Sequence, residues 1–169
     1  MVFFAQQERA YESIGYNGGS FQGCINLRYF EMPESITSIG QYAFSGCSMM
    51  FDQEYTEDDI KNFFKNIETI ENRAFASNGG DGKTFYFPGK LRYIQERAFF
   101  YAGITKAEFG GKGDPSQLDP SKIIITTPGA GIFDYSNLEA AYVYDEDDTA
   151  RKWDEMRNLI GYLAVPLDW

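Results

Sequence analysis

Ile39-Gly40-Gln41-Tyr42-Ala43-Phe44 returns as Ile70-Glu71-Asn72-Arg73-Ala74-Phe75, again as Ile94-Gln95-Glu96-Arg97-Ala98-Phe99, and more loosely as Pro128-Gly129-Ala130-Gly131-Ile132-Phe133. Each phrase closes on Phe five residues after it opens, and the first three set Ala directly before that Phe. A phrase that returns in this way marks a solenoid, and a fold read without the repeat would be read wrongly. Stacked coils build extended binding faces more often than catalytic pockets.

Working outward from Phe44, the apolar partners upstream are Pro33, Ile36, Ile39 and Ala43, with Cys47 downstream. A shift of 55 residues lands on Pro88, Leu91, Ile94, Ala98 and Phe99. A shift of 31 lands on Ile67, Ile70, Ala74 and Phe75, and a shift back of 23 on Phe21 and Cys24. The unit is therefore 23–24 residues, lengthened by insertions. One unit cannot bury its own apolar side, so Phe21, Phe44, Phe75, Phe99 and Phe133 are expected to stack inward as a ladder, with Ala forming a tight wall beside them. Each unit opens on an extended segment: Leu27–Met32, a degenerate Met50–Tyr55, Thr84–Phe87, Ile104–Phe109 and Leu138–Val143. The apolar and polar places at the ends of these segments alternate as in a half-buried strand, and Pro33 or Pro88 stops the ladder. In the second segment Gln53 and Tyr55 stand where apolar residues belong. Cys24 and Cys47 hold equivalent places in neighbouring coils, where strand spacing permits a disulfide. Two thiols in a small-residue site are the other reading, since Asn78, Ala102 and Ser136 occupy that site elsewhere.

Residues 27–47, from Leu27-Arg28-Tyr29-Phe30-Glu31-Met32-Pro33 through Ile36, Ile39-Gly40 and Ala43-Phe44 to Cys47, resemble the BspA-type leucine-rich repeat, L-x-x-I-x-I-P-x-x-V-x-x-I-G-x-x-A-F-x-x-C. Ser136–Tyr144 followed by Ala150–Trp153 resembles the closing cap common in that family. The resemblance spans roughly residues 12–155. It implies an α/β leucine-rich repeat solenoid, right-handed, of about five coils, with short parallel strands, few short helices and a helical C-terminal cap. Residues 1–169 then form one domain: an N-terminal cap and degenerate first repeat over 1–24, repeats over 25–138 with insertions near 56–66 and 110–122, and a C-terminal cap over 139–169.

Two insertions have local logic. Thr56-Glu57-Asp58-Asp59 ahead of Ile60, Phe63, Phe64 and Ile67 reads as a capped short helix with one apolar face. Trp153, Met156 and Leu159 at spacing three predict a helix over Ala150–Leu159 that closes the open end of the stack, and Phe3–Tyr11 is expected to cover the other end.

Composition narrows the chemistry. Hydrophobic content of 43% with 17% aromatics excludes a disordered chain. A net charge of −10 opposes binding to nucleic acid or anionic lipid. Histidine is missing, which removes the commonest general base and metal ligand. No run approaches the roughly 18–20 apolar residues of a membrane helix, and Met1–Glu8 has neither the basic end nor the apolar length of a signal peptide. Gly82-Lys83-Thr84 lacks the first Gly of a phosphate loop and leads into a strand-like run, so it reads as a turn. Gly129-Ala130-Gly131 lacks the third Gly of a dinucleotide fingerprint. Asp145-Glu146-Asp147-Asp148 lacks the spacing of a calcium loop and reads as an acidic turn before a helix. The carboxylates Asp52, Glu54, Glu57, Asp58 and Asp59 are dense enough for paired acid chemistry, but read as an exposed cluster. No catalytic, cofactor or metal residues are assigned.

The strand positions between the inward ones should share one face: Tyr29 and Glu31, Asp52 and Glu54, Thr84 and Tyr86, Lys106 and Glu108, Ala140 and Tyr142. Tyr gives contact area at low entropic cost, and the charges select the partner. The expected function is non-enzymatic protein binding. The resemblance implies a bacterial cell-surface or secreted protein adhering to a host or neighbouring-cell protein, with no nucleic-acid partner and no direct membrane insertion. A glycan-binding module and a structural spacer in a larger surface protein are the alternatives.

Overall fold

The computed structural model describes residues 13–14, 19–52, 54–110, 124–125, 131–144 and 150–152. The elements in chain order are β1 (Ser13–Ile14), β2 (Ser38–Ile39), α1 (Glu57–Phe64), β3 (Thr69–Ile70), β4 (Thr84–Phe87), β5 (Tyr93–Ile94), β6 (Lys106–Phe109), β7 (Ile124–Ile125), β8 (Ala140–Tyr144) and β9 (Ala150–Lys152). They form two sheets, in the orders β1-β2-β3-β5-β7 and β4-β6-β8-β9.

The first sheet runs through the opening Ile of each phrase. Ile14, Ile39, Ile70, Ile94 and Ile125 pair in parallel register from coil to coil. Ile39, Ile70 and Ile94 are completely buried, as parallel strands covered on both sides require. The loose fourth phrase is corrected here. Its strand is Ile124–Ile125, so the residue matching Ile94 is Ile125, eight positions before Phe133, and not Pro128. Three extra residues are absorbed between strand and ring.

The Phe column forms as expected. Near-parallel rings follow one another at 5.2 Å for Phe21–Phe44, 5.4 Å for Phe44–Phe75, 5.1 Å for Phe75–Phe99 and 5.4 Å for Phe99–Phe133. Centroids this far apart with near-parallel planes are offset stacks, which the ring quadrupoles favour. The backbone explains the spacing. The amides of Phe21, Phe44 and Phe75 donate at 2.8 Å to the carbonyls of Ala43, Ala74 and Ala98 in the next coil, and Phe99 donates at 2.9 Å to Ile132. Ala43, Ala74 and Ala98 are fully buried, so a larger side chain would push the coils apart. The coils round their Phe through left-handed residues: Tyr42, Arg73 and Arg97 two places before it, and Gly46, Ser77, Tyr101 and Tyr135 two places after it, all with φ between 52° and 76°. Such a conformation costs about 1 kcal/mol or more for a residue with a Cβ. It is held because the amides at these places also donate to the neighbouring coil, as from Tyr42 to Asn72 and from Ser77 to Phe100.

The second sheet carries the alternation read from the sequence. Phe85, Phe87, Ala107 and Phe109 point into the core, with at most 1% of each exposed. Two expected strands do not form, since Leu27–Met32 and the described residues of Met50–Tyr55 have no strand pairing. Tyr55 explains how the core closes there without them. Its ring is 2% exposed and packs 4.9 Å from Phe51, while its hydroxyl accepts from Phe30 N (2.8 Å) and donates to Phe30 O (3.0 Å). One phenol thus satisfies both peptide groups that a neighbouring strand would have paired, and burial holds its pKa well above the usual tyrosine range. Tyr55→Phe keeps the ring and leaves both half-buried groups of Phe30 without a partner. It is expected to lose about 2 kcal/mol in denaturant unfolding; a change within the error of the measurement would remove the hydroxyl from this account.

At the end of this sheet, Ala150–Lys152 does not open the expected helix. These residues form β9, antiparallel to β8 with Tyr144 opposite Ala150. The return strand pairs an edge of β8 that would otherwise present free peptide groups. The remainder of that helix with Trp153, the N-terminal cap at Phe3–Tyr11, the acidic run Asp145–Asp148 and insertion residues 111–122 lie outside the described residues.

The insertion helix forms as read. Thr56 Oγ1 accepts from Asp59 N (3.1 Å) and Thr56 N donates to Asp59 Oδ2 (2.9 Å), a reciprocal cap. Ile60, Phe63 and Phe64 are buried against the column, with Phe64 5.5 Å from Phe75. Cys24 and Cys47 are free thiols. Cys47 is buried and donates to Phe21 O at 3.1 Å. Asn78, in the equivalent site, donates to Phe44 O at 2.8 Å. Burial, then the neighbouring Cys24, pushes the Cys47 thiol up to about 11, while Cys24 is exposed. A thiol reagent at pH 8 should therefore modify one cysteine in the native protein and two in denaturant; two fast native equivalents would contradict the buried placement. Cys47 favours the thiol form when folded, so its contribution to stability is complete below about 9 and is lost as pH rises to about 11.

Candidate binding surfaces

Register decides which of the expected outward residues meet. Thr84, Lys106 and Ala140 share one level of the second sheet, and Tyr86, Glu108 and Tyr142 share the next. Lys106 Nζ lies 2.7 Å from Glu108 Oε1, which neutralises the middle strand internally. Thr84 and Glu108 are 9% and 8% exposed, so the outward places they were expected to fill are largely covered. Tyr86 is half-buried and donates to Glu57 Oε2 of α1 at 3.2 Å. Its pKa is raised by burial first, then by the negative charges of Glu108 and Glu57.

Tyr29, Glu31, Asp52 and Glu54 are exposed, on segments that have no strand pairing. Arg28 reaches Glu54 at 3.8 Å, a solvated pair worth little. Tyr29 lies 5.0 Å from Tyr55, and burial first, then the negative charge of Asp59, raises its pKa. Asp59 is itself held below the usual carboxylate range by the Thr56 hydroxyl and amide. That shift is opposite to what a general acid requires. Lys83 does not belong to a phosphate loop: its ammonium donates to Tyr55 O at 2.9 Å, and the strand β4 follows it.

A second surface was not read from the sequence. Two places past the ladder Phe stand Gly23, Gly46, Ser77, Tyr101 and Tyr135. The last two rings are 56% and 55% exposed and stack at 5.1 Å with planes 12° apart. Phe100 supports both edge-on, at 4.7 Å and 5.5 Å. They border a groove of about 310 Å³ that also includes Asp52, Asn78, Asp81 and Asn137. The signal lay in the same repeat column, but its residue types change from coil to coil, so alignment of the apolar places passes over it.

Among protein families, the BspA type Leucine rich repeat region matches residues 8–114 in six copies. The chain belongs to the BspA-type leucine-rich repeat family. The match covers the first four rings of the Phe column, and Phe133 extends the column past it. A search of curated proteins returned no match, and a search of solved structures likewise returned none. A repeat of this family supports a binding module. No helix among the described residues is long and apolar enough to cross a membrane.

Proposed function

We propose that this BspA-type repeat domain is a non-enzymatic protein-binding module of a cell-surface or secreted protein, adhering to a host or neighbouring-cell protein. The observation that carries the reading is the register of the second sheet, which sets Tyr86 and Tyr142 on either side of Glu108 at one level. Tyrosines on β4 and β8 and the Lys106–Glu108 pair on β6 between them supply residue types suited to contact with a protein partner. Repeat stacking makes such a surface rigid before binding, which lowers the ordering cost. The experiment is retention on immobilised extracellular-matrix proteins, comparing the natural chain with the double variant Tyr86→Ala, Tyr142→Ala. At least tenfold weaker retention is expected, with cooperative unfolding preserved. Unchanged retention would show that this sheet face is not the contact surface, and binding to a glycan array with no protein retained would replace the protein partner with a sugar.

A further inference from the structure

The groove beside the exposed tyrosine pair is chemically one-sided. Asp81 Oδ1 accepts from Asn137 Nδ2 at 2.6 Å, leaving its second oxygen for a donor from outside. Asp52 is exposed at the same groove. Asn78 is 5% exposed, its amide nitrogen is spent on Phe44 O, and its Oδ1 has no donor. Among the described residues, neither Lys nor Arg lines the groove. The nearby guanidinium groups of Arg73 and Arg97 lie over Phe100 instead, at 5.9 Å and 5.7 Å. The charges among the described lining residues are thus the carboxylates of Asp52 and Asp81, set beside the electron-rich faces of two tyrosines, while the Ser48 hydroxyl can either donate or accept.

A ligand that answers both the carboxylates and the rings is cationic, flat enough to lie on a ring, and rich in donors. The guanidinium group has five N–H donors and no acceptor, pairs with carboxylates through two parallel bonds, and stacks on aromatic faces. An ammonium supplies the charge without the plane, and a neutral sugar supplies hydroxyls that must also find donors. A volume of about 310 Å³ lies at the small end of ligand sites, which suits one side chain better than a folded domain. Stacking of an exposed cation on a tyrosine contributes about 0.5–1 kcal/mol, so the carboxylates must supply much of the selectivity.

We propose that this groove is an arginine subsite: it takes an arginine side chain from a basic segment of the partner protein, with the guanidinium on Tyr101 and paired to Asp81 and Asp52. The proposal rests on the protein-binding reading above and names the chemistry of the partner. It also gives the net charge of −10 a local use, since a basic segment would be drawn to this chain before it docks.

The test is calorimetric titration of the full chain with an acetylated, amidated octapeptide of alternating Gly and Arg at physiological salt, with the Gly/Lys octapeptide as comparison. Asp81→Asn keeps the acceptor for Asn137, and Tyr101→Ser leaves the charge unchanged. Each is expected to weaken the Gly/Arg peptide at least fivefold, and the Gly/Lys peptide is expected to bind at least threefold more weakly than the Gly/Arg one. Glu68→Gln removes the same charge at an exposed place outside the groove and should change affinity less than twofold. Thermal unfolding of each variant checks that the fold persists. If Glu68→Gln weakens binding as much as Asp81→Asn, if Tyr101→Ser has no effect, or if the natural chain does not bind, the arginine subsite is wrong. Should the subsite fail while the sheet-face variants still reduce retention on a matrix protein, the protein-binding reading stands without it; failure of both removes the reading as well.

Discussion

Phe99→Ala is expected to lower stability by about 3–5 kcal/mol, the cost of truncating a fully enclosed Phe whose surroundings cannot collapse. Phe99 is 0% exposed and lies in the column between Phe75 at 5.1 Å and Phe133 at 5.4 Å. It also meets Phe87 at 5.5 Å from the second sheet and Phe64 at 6.5 Å from α1. The ring is therefore the point where the column, the second sheet and the insertion helix converge. The backbone around it is fixed by bonds to the coils on either side, because Phe99 N donates to Ile132 O and Ala98 O accepts from Phe75 N. A cavity at this place cannot be closed by moving one coil without stretching those bonds. The melting midpoint should fall by roughly 10 °C or more for a chain of this size. A fall of a degree or two would mean that the column is not the core.

Gly79→Ala is expected to cost about 3 kcal/mol by forcing neighbouring coils apart. Its backbone is not left-handed, so conformational freedom is not the reason for Gly here. A Cβ added to Gly79 would sit 2.5 Å from Met50 O and 2.7 Å from Ser48 O, both rigid backbone of the preceding coil. Gly103, one coil further on, is equally confined, with Asp81 N at 2.9 Å from such a Cβ. Gly23 is the contrasting case. It is left-handed with φ of 72° and has open space around an added Cβ. Gly23→Ala should cost only the conformational penalty, about 1 kcal/mol. Comparable losses at Gly79 and Gly23 in chemical denaturation would show that coil contact is not what selects Gly at 79.

What the sequence disclosed follows from how it encodes each contact. The Phe column was legible because one residue type recurs at one place, and the wall of Ala43, Ala74 and Ala98 repeats with it. The capped helix was legible because Thr56 and Asp59 carry a local signal that needs no tertiary context. The first sheet was not, because strands of two residues are too short for periodicity to register, and Ile125 was hidden by three extra residues before Phe133. Tyr55 was read as a polar intruder in a core place. A tyrosine can bury its ring and still satisfy a peptide group, and the sequence does not say which peptide group that is. The outward face was half legible: alternation set Tyr86 and Glu108 opposite the core residues Phe85, Phe87, Ala107 and Phe109, but it could not show that Glu108 is largely covered, that Lys106 pairs with it or that α1 reaches Tyr86. Tyr101 and Tyr135 become neighbours only once the coils are stacked, so their groove has no linear signature.

The central claim is that successive coils set one phenylalanine each into a shared column. Ring-to-ring nuclear Overhauser contacts, measured with selectively labelled phenylalanine, test it most directly. Contacts are expected between Phe44 and Phe75, Phe75 and Phe99, and Phe99 and Phe133, with none between Phe44 and Phe99. Phe75 rings in contact with neither Phe44 nor Phe99 would contradict the stacked architecture and both surfaces built on it.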